Sequence, residues 1–233
     1  MRRTLICSLA ILLTAGSPVL EPSAHAGSSP RAHKKKKHRK KAKRIQRRAR
    51  ARRGFHQLTS GPGFHVPRPE HAWGRAHVLR HLRRTFASYN AAFPGSPPIW
   101  IHDISRRWGG RFRPHRSHRR GTDVDIRLLH SPPTRRYIRA TPRTLDVPKT
   151  WFIISRLLET RDVVYIFIDY RLQRVLYKHA RESGASEETL AAFQYPRSRR
   201  ARQGIIRHTR GHADHMHVRF RTVPTPPTVA LAL

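Results

Sequence analysis

The chain of 233 residues carries 49 lysines and arginines against 13 aspartates and glutamates, which gives a formal net charge of +36. Its single cysteine, Cys7, excludes a disulfide framework within the chain and, once an amino-terminal leader is removed, thiolate chemistry as well. Stability must therefore come from an apolar core, for which the length suffices, or from a metal.

Residues 1–26 have the pattern of an export signal. Two arginines precede an apolar stretch that is too short to cross a bilayer, and an Ala-His-Ala sequence at the end fits a cleavage site. An uncleaved anchor is the alternative, which the short stretch and the cleavage pattern disfavour. We therefore expect an exported protein, periplasmic or secreted, with no transmembrane segment in the mature chain.

A basic segment follows at residues 27–54. Its stretch 31–53 contains no acidic residue and almost no large apolar one, so it cannot bury enough surface to offset chain entropy. The composition predicts disorder. Such a segment is most often a solvated tail, and the sharper hypothesis is a tether to anionic envelope polymers, with an affinity that falls as salt rises.

A single domain is predicted over residues 55–222, ahead of a Pro-rich tail at 223–233. Residues 56–74 are rich in glycine and proline and predict irregular structure. Residues 75–93 place apolar side chains at helical spacing, which predicts an amphipathic helix. Residues 99–104 are a short strand candidate.

The second half of this domain alternates helix and strand signals. Residues 123–129 alternate polar and apolar side chains, as a half-buried strand does. Residues 148–160 carry a proline at a helix start and an apolar stripe, and 163–168 form an apolar strand candidate. Helices are predicted over 171–184 and from Ser186 onward.

The last strand signal is residues 215–221, which again alternate. Helices and strands mix without regular strand-helix-strand spacing, which favours an α+β fold over a doubly wound sheet. We expect a single domain in which helices flank a small antiparallel sheet, and this sheet carries the functional site.

The chain has 17 histidines, and two polar clusters stand out by their spacing. The first runs from His118 to Asp125, and the second contains His212, His215 and His217. On a strand, residues two apart share a face, so Asp123 and Asp125 project together, and so do His215 and His217. If the two strands pair, a carboxylate meets two imidazoles, which with an open fourth position is a catalytic zinc arrangement. The alternative is a solvent-exposed strand face with ordinary ion pairs. Either cluster alone fits that alternative, and the presence of both favours a metal.

These clusters resemble the motifs of the penicillin-insensitive murein endopeptidase family, within the superfamily of lysostaphin, D-Ala-D-Ala metallopeptidases and hedgehog. "HRSHRRGTDVD", residues 115–125, resembles the first motif, H-x-S-H-x-x-G-x-D-V-D. "GHADHMHVR", residues 211–219, resembles the second motif, GH-x-DH-x-HVR. Segments such as "FIDYRLQRVLYKHA" are similar too, and the resemblance covers residues 58–221.

The resemblance implies a zinc ion bound by His118, Asp125 and His217. It places His115 in the same pocket and leaves open whether that imidazole ligates the metal. Because a dication would otherwise be repelled by a field of arginines, a carboxylate ligand also explains why scarce acidic residues gather here.

Roles for the neighbouring residues follow from the same resemblance. His215 matches a general base, and His212 matches a further catalytic histidine that positions water or steadies charge on the intermediate. Asp123 is expected to orient a ligand, and Gly121 to permit the tight chain path between the ligands. Asp214 is expected to be a turn residue or a supporting acid.

The implied activity is zinc-dependent hydrolysis of peptide cross-links in peptidoglycan, of the D-alanyl-diaminopimelate type. Free carboxylates on the stem peptides would be attracted by a basic cleft. The alternatives are a D,D-carboxypeptidase of the same superfamily and a non-catalytic protein that binds polyanions or the cell wall. Nucleic acid is not expected as a partner, because the chain has neither an aromatic RNA-binding signature nor a helix-turn-helix signal.

Overall fold

The computed structural model describes residues 30–52, 54–196 and 204–224. The export signal predicted at 1–26 and most of the tail predicted at 223–233 lie outside the described residues. Within the described part of the chain, no helix is both long and apolar enough to cross a membrane.

Helix α1 (Pro30–Arg52) occupies most of the basic segment, where the sequence predicted disorder. The segment consists largely of Lys, Arg, Ala and Gln, which favour the helix, and its proline lies at the first turn, where it is tolerated. The prediction considered only the burial of apolar surface, whereas helical hydrogen bonds form within the segment. Side chains 34–46 are all exposed, so α1 presents a continuous cationic surface.

The rest of the described chain mixes short strands with helices, as the α+β prediction required. In chain order these elements are β1 (Phe55–Gln57), β2 (Phe64–His65), β3 (Trp73–Arg75), α2 (Ala76–Ala92), β4 (Ile99–Trp100), β5 (Asp123–Arg127), α3 (Val147–Glu159), β6 (Val163–Phe167), α4 (Tyr170–Glu182), α5 (Glu187–Ala191), β7 (Ile206–Arg207) and β8 (His215–Phe220). The predicted helices and the three longer strands are confirmed. The stretch predicted to be irregular, 56–74, contains β2 and most of β1 and β3.

Polar caps fix the starts of three helices, α3, α4 and α5. The Asp146 side chain accepts a hydrogen bond from the backbone N–H of Lys149 at 3.2 Å, at the start of α3. Ser186 Oγ accepts one from the Thr189 N–H at 3.2 Å, at the start of α5. Each cap satisfies an amide that the first helical turn leaves without a partner.

The main sheet has four strands in the order β5-β8-β6-β7. Strand β8 is antiparallel to both β5 and β6, but β7 runs parallel to β6. The prediction of an antiparallel sheet is therefore wrong at this edge. The reason is the crossover from β6 through α4 and α5, since parallel neighbours require such a helical connection.

The pairing of β5 with β8 decides which side chains meet. Asp125 lies opposite His217, and Arg127 lies opposite His215. The predicted pairing of these two strands is confirmed. A shift of one residue would have turned every polar side chain of one strand to the other face, so this register creates the polar face of the sheet.

The opposite face of the same strands is apolar and belongs to the core. Its buried side chains join those of three helices in one cluster, which includes Val124, Ile126, Met216, Val218, Leu82, Phe86, Ile154, Leu157, Leu172 and Leu176. Burial of one such side chain contributes about 1.5–3 kcal/mol. The apolar face thereby anchors the sheet to the core, while the polar face carries the side chains of the candidate site.

Candidate metal centre

The polar face of β5 is covered by neighbouring chain, so all five of its residues are buried. The segment after β4 runs beside β5, where the His102 N–H donates to the Asp125 carbonyl oxygen at 2.9 Å. The Asp125 N–H in turn donates to the Asp103 carbonyl oxygen at 3.0 Å. The half-buried strand expected from the sequence is thus a buried one, and Asp103 comes to lie beside Asp125.

Gly121 lies in the tight path of the chain between His118 and the start of β5. Its φ is +69°, a conformation that side chains disfavour, and a Cβ there would lie 2.7 Å from Phe55 Cε1. The backbone of Gly74 is also close, with its Cα 3.1 Å from that position. A glycine is therefore required both for the turn and for the close approach of the chain.

Three ligand-type atoms form a small triangle at the centre of the polar face. His118 Nε2 lies 3.2 Å from Asp125 Oδ1, and His217 Nδ1 lies 3.0 Å from the same oxygen. The two nitrogens are 3.1 Å apart. Tetrahedral bonds of zinc length, about 2.0–2.1 Å, would separate ligand atoms by roughly 3.3 Å, close to these edges.

The hydrogen bonds of the two imidazoles turn lone pairs into this triangle. His118 Nδ1 donates to the Ile104 carbonyl at 3.0 Å, and His217 Nε2 donates to Asp123 Oδ1 at 2.9 Å. In the neutral imidazoles the inward nitrogens are therefore acceptors. Asp125 Oδ1 is buried and makes no hydrogen bond of good geometry with the described residues. Three facing acceptors call for a cation, so the residues fit a divalent metal.

Charge within the centre is strongly coupled. Burial alone would raise the pKa of Asp125, but the imidazoles of His118 and His217 outweigh it and hold this pKa far below its usual range. Burial likewise lowers the pKa of His217, but the carboxylates of Asp123 and Asp125 raise it to about 9. Asp125 is thus a carboxylate, and its charge favours a cation beside it, either a metal ion or the protonated imidazole of His217.

Asp123 supports His217 from behind, away from the triangle. Its Oδ1 accepts from His217 Nε2 at 2.9 Å and from Arg219 Nε at 2.7 Å. A carboxylate in this position fixes both the tautomer and the orientation of a ligating imidazole. The geometry agrees with the orienting role that was expected for Asp123.

His115 adjoins the triangle and is held by Asp103. Its Nε2 donates to Asp103 Oδ2 at 2.7 Å, while its Nδ1 lies 3.7 Å from Asp125 Oδ2. The hydrogen bond that His115 donates to the Asp103 carboxylate raises the pKa of His115. His115, His118 and Asp125 each offer a ligand atom within 4.8 Å of the others, so His115 is also placed to contribute to a metal site.

Asp103 itself is anchored by two more basic side chains. Arg68 Nη2 lies 2.9 Å from Asp103 Oδ1, and His71 Nδ1 lies 3.3 Å from the same oxygen. Burial tends to raise the pKa of Asp103, but His115 and Arg68 outweigh it and lower that pKa. Asp103 is therefore an ionised carboxylate that orients His115.

His215 stands beside the triangle without belonging to it. Its Nδ1 lies 2.6 Å from Asp214 Oδ1, and its Nε2 lies 3.8 Å from Asp125 Oδ1. His215 Nδ1–H thus donates a hydrogen bond to Asp214, and the lone pair of Nε2 faces the centre. The Tyr137 hydroxyl reaches within 3.4 Å of the same Nδ1, a long contact that closes this side.

His212 lies at the rim of the same group. Its ring centroid is 4.9 Å from that of His215 and 5.9 Å from that of His217. Burial lowers the pKa of His212 and favours the neutral imidazole. The structure therefore brings together the residues that the sequence selected from both polar clusters.

Sequence reasoning missed Asp103 and Tyr137. Asp103 had one available signal, since it is one of only 13 acidic residues and lies within the strand candidate at 99–104. Tyr137 had none, because its contact with His215 is made by a loop that is distant in sequence. Loop contacts of this kind carry no periodic pattern.

A family model described as penicillin-insensitive murein endopeptidase matches residues 52–181, which is more than half of the chain. The matched range includes His115, His118, Asp123 and Asp125 and ends before the second polar cluster. No curated protein matches the chain.

Proposed function

Because the chain belongs to the penicillin-insensitive murein endopeptidase family, we propose that it is a zinc metallopeptidase that cleaves peptide cross-links of peptidoglycan, of the D-alanyl-diaminopimelate type. The observation that carries the proposal is the triangle of His118 Nε2, Asp125 Oδ1 and His217 Nδ1, with edges of 3.0–3.2 Å. These three residues would hold the metal, with His115 beside them as a further donor.

In this proposal the chain supplies the acid-base chemistry. A zinc ion at this site would polarise the scissile carbonyl and acidify a water. His215 Nε2 would take the proton of that water, since Asp214 holds the proton of Nδ1, and would later deliver it to the leaving amine. The neutral His212 would position the water or stabilise charge on the tetrahedral intermediate.

We also infer where the protein acts and how the chain is divided. An export signal at 1–26 would be removed, and the basic segment at 27–54 would precede a peptidase domain at 55–222 and a tail at 223–233. This arrangement fits a family whose substrate is the cell wall. An exported enzyme, periplasmic or secreted, would meet peptidoglycan there.

The decisive experiment combines metal analysis with product analysis on cross-linked muropeptide dimers. We expect one zinc per purified chain and conversion of dimers to monomers, because an endopeptidase cuts between the two stems. Removal of a terminal D-alanine from an intact dimer would instead indicate a D,D-carboxypeptidase. A protein that binds sacculi but holds no zinc and hydrolyses nothing would be a non-catalytic wall-binding protein.

We further infer that the basic segment tethers the enzyme to anionic envelope polymers, because the side chains of α1 from 34 to 46 are exposed and mostly cationic. Deleting residues 31–53 should leave zinc content and dimer turnover nearly unchanged. Binding to whole sacculi should weaken, most visibly at low salt, since a dense row of cations adds counterion-release affinity. Sacculus pull-down and dimer turnover at two salt concentrations measure both effects.

A matched control replaces the same segment with a neutral Gly-Ser linker of equal length. Equal loss of sacculus binding in the deletion and the linker variant would assign the effect to charge. Unchanged binding at low salt would reduce the segment to a passive spacer. A collapse of dimer turnover would mean that the segment belongs to the peptidase domain.

A further inference from the structure

A cavity of about 630 Å³ is lined in part by Arg127, which lies on β5 two residues beyond Asp125 of the metal centre. Aromatic, proline and aliphatic side chains form much of its wall, and Arg127, His130 and Lys149 supply cationic or polar groups. Asp146 is the acidic residue of the wall, and it already pairs with Lys149 at 2.8 Å. The proposed chemistry at the metal centre makes no use of this cavity.

Arg127 is the unusual feature of the wall. Its side chain is buried, with a residue exposure of 6 %, yet among the described residues no carboxylate lies within ion-pairing distance of it. Nη1 and Nη2 each donate to a backbone carbonyl, of Arg135 at 3.0 Å and of Thr134 at 3.1 Å. A guanidinium has five N–H groups, so three remain for a ligand.

A buried charge with no counter-ion is costly, and proteins normally pair it. The ring of Trp100 lies 5.1 Å from the Arg127 guanidinium carbon, a cation–π contact that only partly compensates. An anionic group of a bound ligand would supply the counter-ion that the buried Arg127 guanidinium lacks. A planar carboxylate matches the guanidinium fork better than a spherical ion does.

His130 gives a second, independent indication. It is also buried, with 6 % exposure, and lines the same cavity. Neither of its ring nitrogens makes a hydrogen bond of good geometry within the described part of the chain. Buried polar atoms are nearly always paired, so this ring and Arg127 point to a polar ligand in the cavity.

The position of Arg127 indicates which part of a substrate this would be. Arg127 lies directly opposite His215 in the sheet and two residues beyond Asp125, or about 7 Å along the strand. Under the proposed function, His215 delivers a proton to the leaving amine. An anion held by Arg127 would therefore belong to the amine half of the substrate.

We propose that Arg127 and this cavity bind a free carboxylate on the residue that supplies the leaving amine. Its assignment to a peptide substrate rests on the proposed function, whereas the anion site itself rests on the cavity alone. In a D-alanyl-diaminopimelate cross-link, the carbon that bears the leaving nitrogen carries such a carboxylate. Amidation of that group would then protect a cross-link from cleavage.

The kinetic test compares two soluble peptides that differ only at this position, one with a carboxylate and one with a carboxamide. The wild-type zinc enzyme should prefer the carboxylate, and Arg127→Gln should lose about 10- to 100-fold in kcat/KM on it. Activity on the carboxamide should change by less than about threefold. Arg127→Lys keeps the positive charge but lacks the guanidinium fork, so its kcat/KM on the carboxylate peptide should lie between those of the wild-type enzyme and Arg127→Gln. The matched control is Arg84→Gln, which replaces an exposed arginine on α2.

A binding test separates this inference from the proposed function. Calorimetry with N-acetyl-D-alanine and its amide, on zinc-loaded and zinc-free protein, should show tighter binding of the acid in both forms. Arg127→Gln should remove this preference, while zinc content and thermal unfolding report on the fold. If wild-type protein cleaves neither peptide but keeps the preference, the proposed function fails and the anion site stands.

Two outcomes would overturn the anion site. The first is equal binding of acid and amide by the wild-type protein. The second is a preference that persists in Arg127→Gln and Arg127→Lys but disappears in His118→Ala, which would place the carboxylate on the metal centre instead. A variant that fails to fold is recognised by its melting curve, and the conclusion then rests on the other Arg127 variant.

Discussion

Alanine at His118, Asp125 or His217 should abolish cross-link hydrolysis and remove most of the bound zinc. Each residue supplies one corner of the triangle, whose edges are 3.0–3.2 Å. Three protein ligands leave no redundancy, because two ligands and water hold the metal far more weakly. Zinc per chain, measured on purified protein, and dimer turnover at saturating zinc check the two parts separately.

Two further variants calibrate this result. Asp123→Asn weakens the support of His217 without touching the triangle, so metal affinity should fall by only about 10- to 100-fold. His56→Ala on β1 removes an exposed imidazole that is not part of the centre and should change neither readout. If the alanine variant of His118, Asp125 or His217 kept stoichiometric zinc and wild-type turnover, that residue would not be a metal ligand. If His115→Ala lost zinc as completely as the others, the site would have four protein ligands.

His215→Ala should keep its zinc and lose about 10²- to 10⁴-fold in kcat, the usual contribution of a general base. The structure supports this separation, because His215 Nε2 lies 3.8 Å from Asp125 Oδ1 while the triangle edges are shorter. Truncation removes the proton acceptor and leaves the three ligand atoms in place. Metal analysis and single-turnover kinetics on a soluble dimer measure the two effects.

The neighbours of His215 provide the comparison. Asp214→Asn keeps the imidazole but weakens its hold on Nδ1, so its effect on kcat should be smaller than that of His215→Ala. The conservative His215→Gln should be as impaired as His215→Ala, since an amide cannot accept the proton. Loss of zinc from His215→Ala would make His215 a ligand and would require another base.

Periodic sequence patterns predicted the elements of this fold well. The alternation in 123–129 and 215–221 identified β5 and β8 and assigned Asp125 and His217 to polar faces. This works because the side-chain direction of a strand depends only on position along the chain. The helices α2, α3 and α4 were predicted for the same reason, from apolar residues at helical spacing.

Helix α1 and the edge strand β7 could not be predicted from composition or periodicity, because opposing energetic contributions and long-range packing decide their structure. For α1 the balance lay between the cost of chain entropy and local helix propensity, and the prediction weighed only the first. For the sheet edge, β7 has only two residues, too few to show a pattern. Its parallel pairing with β6 results from how α4 and α5 pack, which is a long-range effect.

By itself the sequence determined which residue types are available for chemistry and which of them share a strand face, because both properties are local. Only the tertiary structure decided that Asp103 holds His115, that Tyr137 reaches His215, and that Arg127 is buried at a cavity wall with no carboxylate of the described residues within ion-pairing distance. Each of these arrangements involves a loop whose path is set by contacts distant in sequence. Loop paths depend on the packing of the whole domain, and no short-range periodicity encodes them.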